Sequence, residues 1–98
     1  MREMVDVPTS LVELADLYRQ RNDVYGDDYK QHGHIMKALF EYGVHLHSPS
    51  DFNRYAILQN IVTKLNRYLA SWEKGGHADS LDDISVYAQM LKELDHER

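Results

Sequence analysis

The chain has 98 residues, 43% of them hydrophobic and 28% charged, with a formal net charge of −5. That length and balance fit one folded domain with a modest core, and they exclude a disordered chain or two domains. The acidic balance argues against broad binding to DNA or RNA, and the lack of cysteine excludes disulfides and thiolate metal sites.

Met1 to Pro8 read as an aperiodic lead-in without the apolar core or cleavage site of a signal peptide. The first helix is expected at about 10–22. Ser10 and Glu13 have the spacing of a capping box, and Leu11, Leu14, Ala15 and Tyr18 form one stripe. Gly26, between Tyr25 and two aspartates, marks a turn, and Asp27 or Asp28 is placed to cap a second helix at about 29–42. Gly43 is placed to end it.

Ser48-Pro49-Ser50-Asp51 announces the third and longest helix, at about 49–73, with Ser48 as the cap and Pro49 at the tolerated first position. Its apolar residues, from Phe52 to Trp72, cover more than one stripe, as in a central helix packed on several sides. Gly75-Gly76 breaks the chain. Asp79 or Ser80 caps a last helix at about 80–95, with Leu81, Ile84, Ala88 and Leu91 on its buried stripe. Strand-like alternation is lacking and no apolar run nears the roughly 20 residues of a membrane span. These signs give an all-α, compact four-helix bundle-like domain, expected to be cytoplasmic and to form a homo-oligomer.

The polar residues that interrupt this pattern carry the candidate chemistry. Asn60, Lys64 and Arg67 share one helix face, a strip able to meet phosphate oxygens, with Arg as a bidentate fork. The same strip is equally a solvent face with its charges paired to neighbours. Asp79 and Asp83 lie four apart, as do magnesium-binding carboxylates, or as do a cap and a first-turn acid favoured by the helix dipole. His77 beside them suits a phosphate contact, an acid/base role or a plain loop position. The pairs His32/His34 and His45/His47 lack the third ligand of a zinc site. Tyr25 can stack on a base or anchor its turn.

Taken together, Tyr25-Gly26-Asp27, Ser48-Pro49 with Asp51, Lys64-x-x-Arg67 and His77-x-Asp79-Ser80-x-x-Asp83-x-x-x-Tyr87 resemble a family of small bacteriophage proteins. These are related to nucleotide-modification-associated helical domains and, more distantly, to MazG-like all-α NTP pyrophosphohydrolases. The resemblance spans about residues 10–95. It implies a MazG-like fold, often oligomeric, and a small nucleotide as ligand in the host cytoplasm. Tyr25, Asp27, Asn60, Lys64, Arg67, His77 and Tyr87 would then bind the nucleotide, and Asp79 and Asp83 would hold Mg²⁺. The related enzymes carry a second acidic motif on an earlier helix. Here the second helix offers Glu41 alone, and the first only Glu13 and Asp16. Three functions follow as expectations: a Mg²⁺-dependent pyrophosphohydrolase, a non-enzymatic sponge for a nucleotide signal of host immunity, and a helical assembly module without ligand.

Overall fold

A computed structural model describes residues 6–26 and 28–97, with the side chains of Val24, Tyr25 and Asp28 also outside the description. The described residues are all-helical, with no strand among them: α1 (Val7–Tyr25), α2 (Asp28–Leu39), α3 (Pro49–Ala70), a single 3₁₀ turn (Trp72–Lys74) and α4 (Ala78–His96).

Helix α1 starts three residues before the Ser10 start read from the sequence. Asp6 supplies the cap: its Oδ2 accepts from the Thr9 N–H at 3.1 Å and from the Thr9 hydroxyl at 2.8 Å. Pro8 then falls in the first turn, where a missing N–H costs nothing. Ser10 lies inside the helix, its N–H bonded to the Asp6 carbonyl at 2.9 Å, so the Ser10–Glu13 capping box is not used. The helix continues to Tyr25 and stops at Gly26, whose φ of 64° suits glycine and whose N–H donates to the Asn22 carbonyl at 2.7 Å. The cap expected at Asp27 or Asp28 lies outside the described residues and side chains.

Helix α3 begins on the Ser48 box. The Ser48 hydroxyl accepts from the Asp51 N–H at 3.1 Å, and the Asp51 carboxylate accepts from the N–H groups of Ser48 and His47 at 3.3 and 3.1 Å. The helix ends at Ala70, before the expected Glu73. Ser71 then closes the 3₁₀ turn, its carbonyl accepting from Lys74 and Gly76. Helix α4 starts on an unexpected cap. His77, rather than Asp79 or Ser80, is the N-cap residue. Its Nδ1 accepts from the Ser80 N–H at 3.2 Å and lies 2.6 Å from the Ser80 hydroxyl. Accepting at Nδ1 requires the ring proton on Nε2.

The α3–α4 hairpin is the main packing unit and runs antiparallel. Arg54 near the start of α3 meets Asp95 near the end of α4 at 2.7 Å, while Lys64 meets Asp83, early in α4, at 2.9 Å. Helix α2 packs on a different side of α3, with Phe40 edge-on to Tyr55 at 5.9 Å between ring centroids. Helix α3 is thus central, as its broad apolar surface indicates. Among the described hydrophobic side chains, however, only Met36 and Val62 are buried. Tyr18 of α1 and Tyr29 of α2 meet edge-to-face across the Gly26 turn, with ring centroids 6.5 Å apart. No described helix is long and apolar enough to cross a membrane.

Candidate functional site: a polar cleft between the first and third helices

The candidate site is a cleft of about 630 Å³ between the C-terminal half of α1, the start of α2 and the middle of α3. That volume lies in the range of small-molecule sites. Helix α3 supplies one wall. Gln59, Asn60, Thr63, Asn66 and Arg67 recur at three- and four-residue spacing, so a single polar face turns toward the cleft. Thr63 turns its hydroxyl back to the Gln59 carbonyl at 3.0 Å, which leaves the wall to amides and Arg67. Helix α1 supplies the other wall, with Leu14, Leu17 and Tyr18 as its apolar part and Arg21 and Asn22 as its polar part.

The closed end of the cleft is ordered by hydrogen bonds. The Tyr18 and Tyr29 hydroxyls lie 3.1 Å apart. The Asn22 amide donates to the Tyr18 hydroxyl and to the Gly26 carbonyl, each at 3.3 Å. Gly26 therefore does two things: it ends α1 and presents its carbonyl to Asn22, which fixes that side chain at the mouth of the turn. His32 completes the rim from α2. Two guanidinium groups, Arg21 and Arg67, line the cleft within a chain of net charge −5. Among the described residues no Asp or Glu lines it.

The residues singled out from the sequence divide among several places. Asn60 and Arg67 line the cleft. Lys64 sits at the α4 edge of the same helical strip, about 50° around the axis from both. Its ammonium is bound to the Asp83 carboxylate, and it is only 21% exposed. His77 is occupied as the α4 cap, and its Nδ1 is taken by Ser80, itself 1% exposed. Asp79 lies exposed in the first turn of α4, and Tyr87 is half-buried farther along that helix, outside the cleft lining. Asp27 and the Tyr25 side chain lie outside the described residues.

Asp83 already has a cationic partner in Lys64, and Asp79 is a solvent-exposed neighbour. Among the described residues no group of three or more His, Asp or Glu side chains is placed to hold a metal. His45 and His47 stack face to face at 5.8 Å, with their planes 8° apart, and are likewise only a pair.

The cleft residues Tyr18, Arg21, Asn22, Tyr29 and Asn66 had no place among the sequence candidates. A signal existed for Asn66: it extends the Asn60–Thr63–Arg67 face by helical spacing. None existed for the α1 residues, because nothing local says that α1 folds back toward α3. Comparison with protein-family models, curated proteins and solved structures gives no match.

Proposed function

We propose that this protein binds a small nucleotide in the cleft between α1 and α3, holding it intact rather than hydrolysing it. The observation that carries the reading is the pairing of Arg67 and Asn60 on one wall with Arg21 and Asn22 on the other, beside two tyrosine rings. Guanidinium groups meet phosphate oxygens in bidentate fashion, and carboxamides pair with the donor and acceptor edges of a base. Tyr18 and Tyr29 offer aromatic surface for a base or sugar. The sequence resemblance to nucleotide-handling helical proteins points the same way.

Hydrolysis of a phosphoanhydride needs a positioned base or a metal-activated water. The carboxylates that the resemblance would assign to that task, Asp79 and Asp83, stand on the α4 side of α3, and Asp83 is neutralised by Lys64. No catalytic step is routed through them. A nucleotide-sequestering role fits this arrangement better than a pyrophosphohydrolase.

Titration calorimetry with nucleoside mono-, di- and triphosphates and with cyclic dinucleotides tests the reading, followed by chromatography of the recovered ligand. Saturable binding, retained in EDTA and lost in Arg67→Ala, with the nucleotide recovered unchanged, is the expected result. Absence of binding across the panel rejects the proposal, and release of pyrophosphate rejects its non-hydrolytic part.

A further inference from the structure

The chain exposes far more surface than a self-sufficient fold of its size. Its accessible area is 8235 Å². A folded monomer of 11.5 kDa exposes about 5,800 Å², so the excess is about 2,400 Å². The radius of gyration, 17.7 Å, likewise exceeds the roughly 13 Å expected for this length.

The exposed surface includes many large apolar side chains, and they are patterned. On α3, Tyr55, Leu58, Val62, Leu65 and Leu69 alternate spacings of three and four, which is the seam of a helix that packs lengthwise against another, and Trp72 follows in the 3₁₀ turn. The first half of this seam is covered: Tyr55 meets Phe40, just after α2, and Val62 is 4% exposed. The second half is open, with Leu65, Leu69 and Trp72 at 44%, 53% and 64% exposure. A groove of about 530 Å³ is lined by Leu69, Ala70 and Trp72, with Glu73 and Lys74 at its charged end. On α1, Val7, Leu11, Leu14 and Tyr18 form a second seam of the same spacing, and each is at least half exposed.

One chain does not join its own two seams. Leu14 and Tyr18 face the cleft, hence the Asn60–Thr63–Arg67 side of α3, which lies roughly half a turn around the helix from Leu65–Leu69. We infer that a second copy of this chain covers these faces, the Val7–Leu11 end of α1 from each copy packing onto Leu65 and into the adjoining Leu69–Trp72 groove of the other. The exchange is self-complementary, as a two-fold interface requires. Two chains that each bury the excess remove about 4,800 Å², within the span of obligate homodimers. The inference stands on surface and seam alone and is independent of any ligand.

The test uses the full chain. Light scattering after gel filtration should give a mass of twice 11.5 kDa, and the thermal midpoint should rise with protein concentration, as for any fold completed by association. The chain has no native cysteine, so the contact can be tested directly. Leu11→Cys and Leu69→Cys chains, mixed, refolded together and oxidised, should yield a disulfide-linked pair containing one of each. Leu69→Lys should reduce the mass toward that of one chain. A helical, cooperatively unfolding monomer with a concentration-independent midpoint overturns the inference. So does an oligomer in which the disulfide between a Leu11→Cys chain and a Leu69→Cys chain never forms.

Discussion

Replacing His77 by alanine should weaken the fold while leaving nucleotide affinity nearly unchanged. The side chain removed accepts from the Ser80 N–H at 3.2 Å and contacts the Ser80 hydroxyl at 2.6 Å. Loss of a helix N-cap costs about 0.5–2 kcal/mol. Ser80 is 1% exposed, so water does not replace the lost acceptor, and a buried donor left unsatisfied costs about 1–3 kcal/mol. These two figures describe overlapping losses, and the combined effect should be about 2 kcal/mol. Asparagine and aspartate place an oxygen acceptor at the same cap position, so His77→Asn should recover most of the loss. Urea unfolding followed by far-ultraviolet circular dichroism measures the effect, at one protein concentration for all variants because association adds to stability. Nucleotide titration on the same samples separates the roles. A variant with wild-type stability but abolished binding would refute the capping argument and return His77 to the site.

Other substitutions follow from the same geometry. Asp83→Asn should cost no more than about 1 kcal/mol, since the Lys64–Asp83 pair is partly exposed, and should change nucleotide affinity less than about threefold by calorimetry. Gly76→Ala should lower stability by about 2 kcal/mol in urea unfolding: φ is +86°, and the added carbon would approach the Tyr68 ring to 2.9 Å, a ring already set edge-on to Trp72. Gly33→Ala is the converse case. It lies within α2 with open space around it, so the same assay should show a gain of about 0.5–1 kcal/mol.

What could be read from the sequence was what short segments decide for themselves. Ser48-Pro49-Ser50-Asp51 contains every group its cap needs, and the structure uses each of them. Gly26 and Gly75-Gly76 announced their turns because only a residue without Cβ adopts these positive φ values without strain. The cap of α4 was hidden because two better cap formers, Asp79 and Ser80, stand just after a histidine that takes the role. Asp6 was passed over for a similar reason: Ser10 and Glu13 offered a complete local box. The division of the polar strip on α3 needed tertiary information. Asn60, Lys64 and Arg67 share a face, but only the register of the α3–α4 hairpin decides that Lys64 turns to Asp83 while its neighbours face the cleft. The α1 wall was illegible for the same reason, since Arg21 and Asn22 gain meaning only from the approach of α1 and α2 to α3.

Binding between α1 and α3 and binding at the Asp79–Asp83 edge give different patterns of perturbed amides. Amide chemical-shift mapping during nucleotide titration separates the two most directly. Binding in the cleft gives saturable shifts at Tyr18, Asn22, Asn60 and Arg67, little change from His77 to Asp83, and loss of the shifts in Arg67→Ala. Shifts centred on Asp79 and Asp83 that depend on added magnesium, with α1 unperturbed, would contradict it.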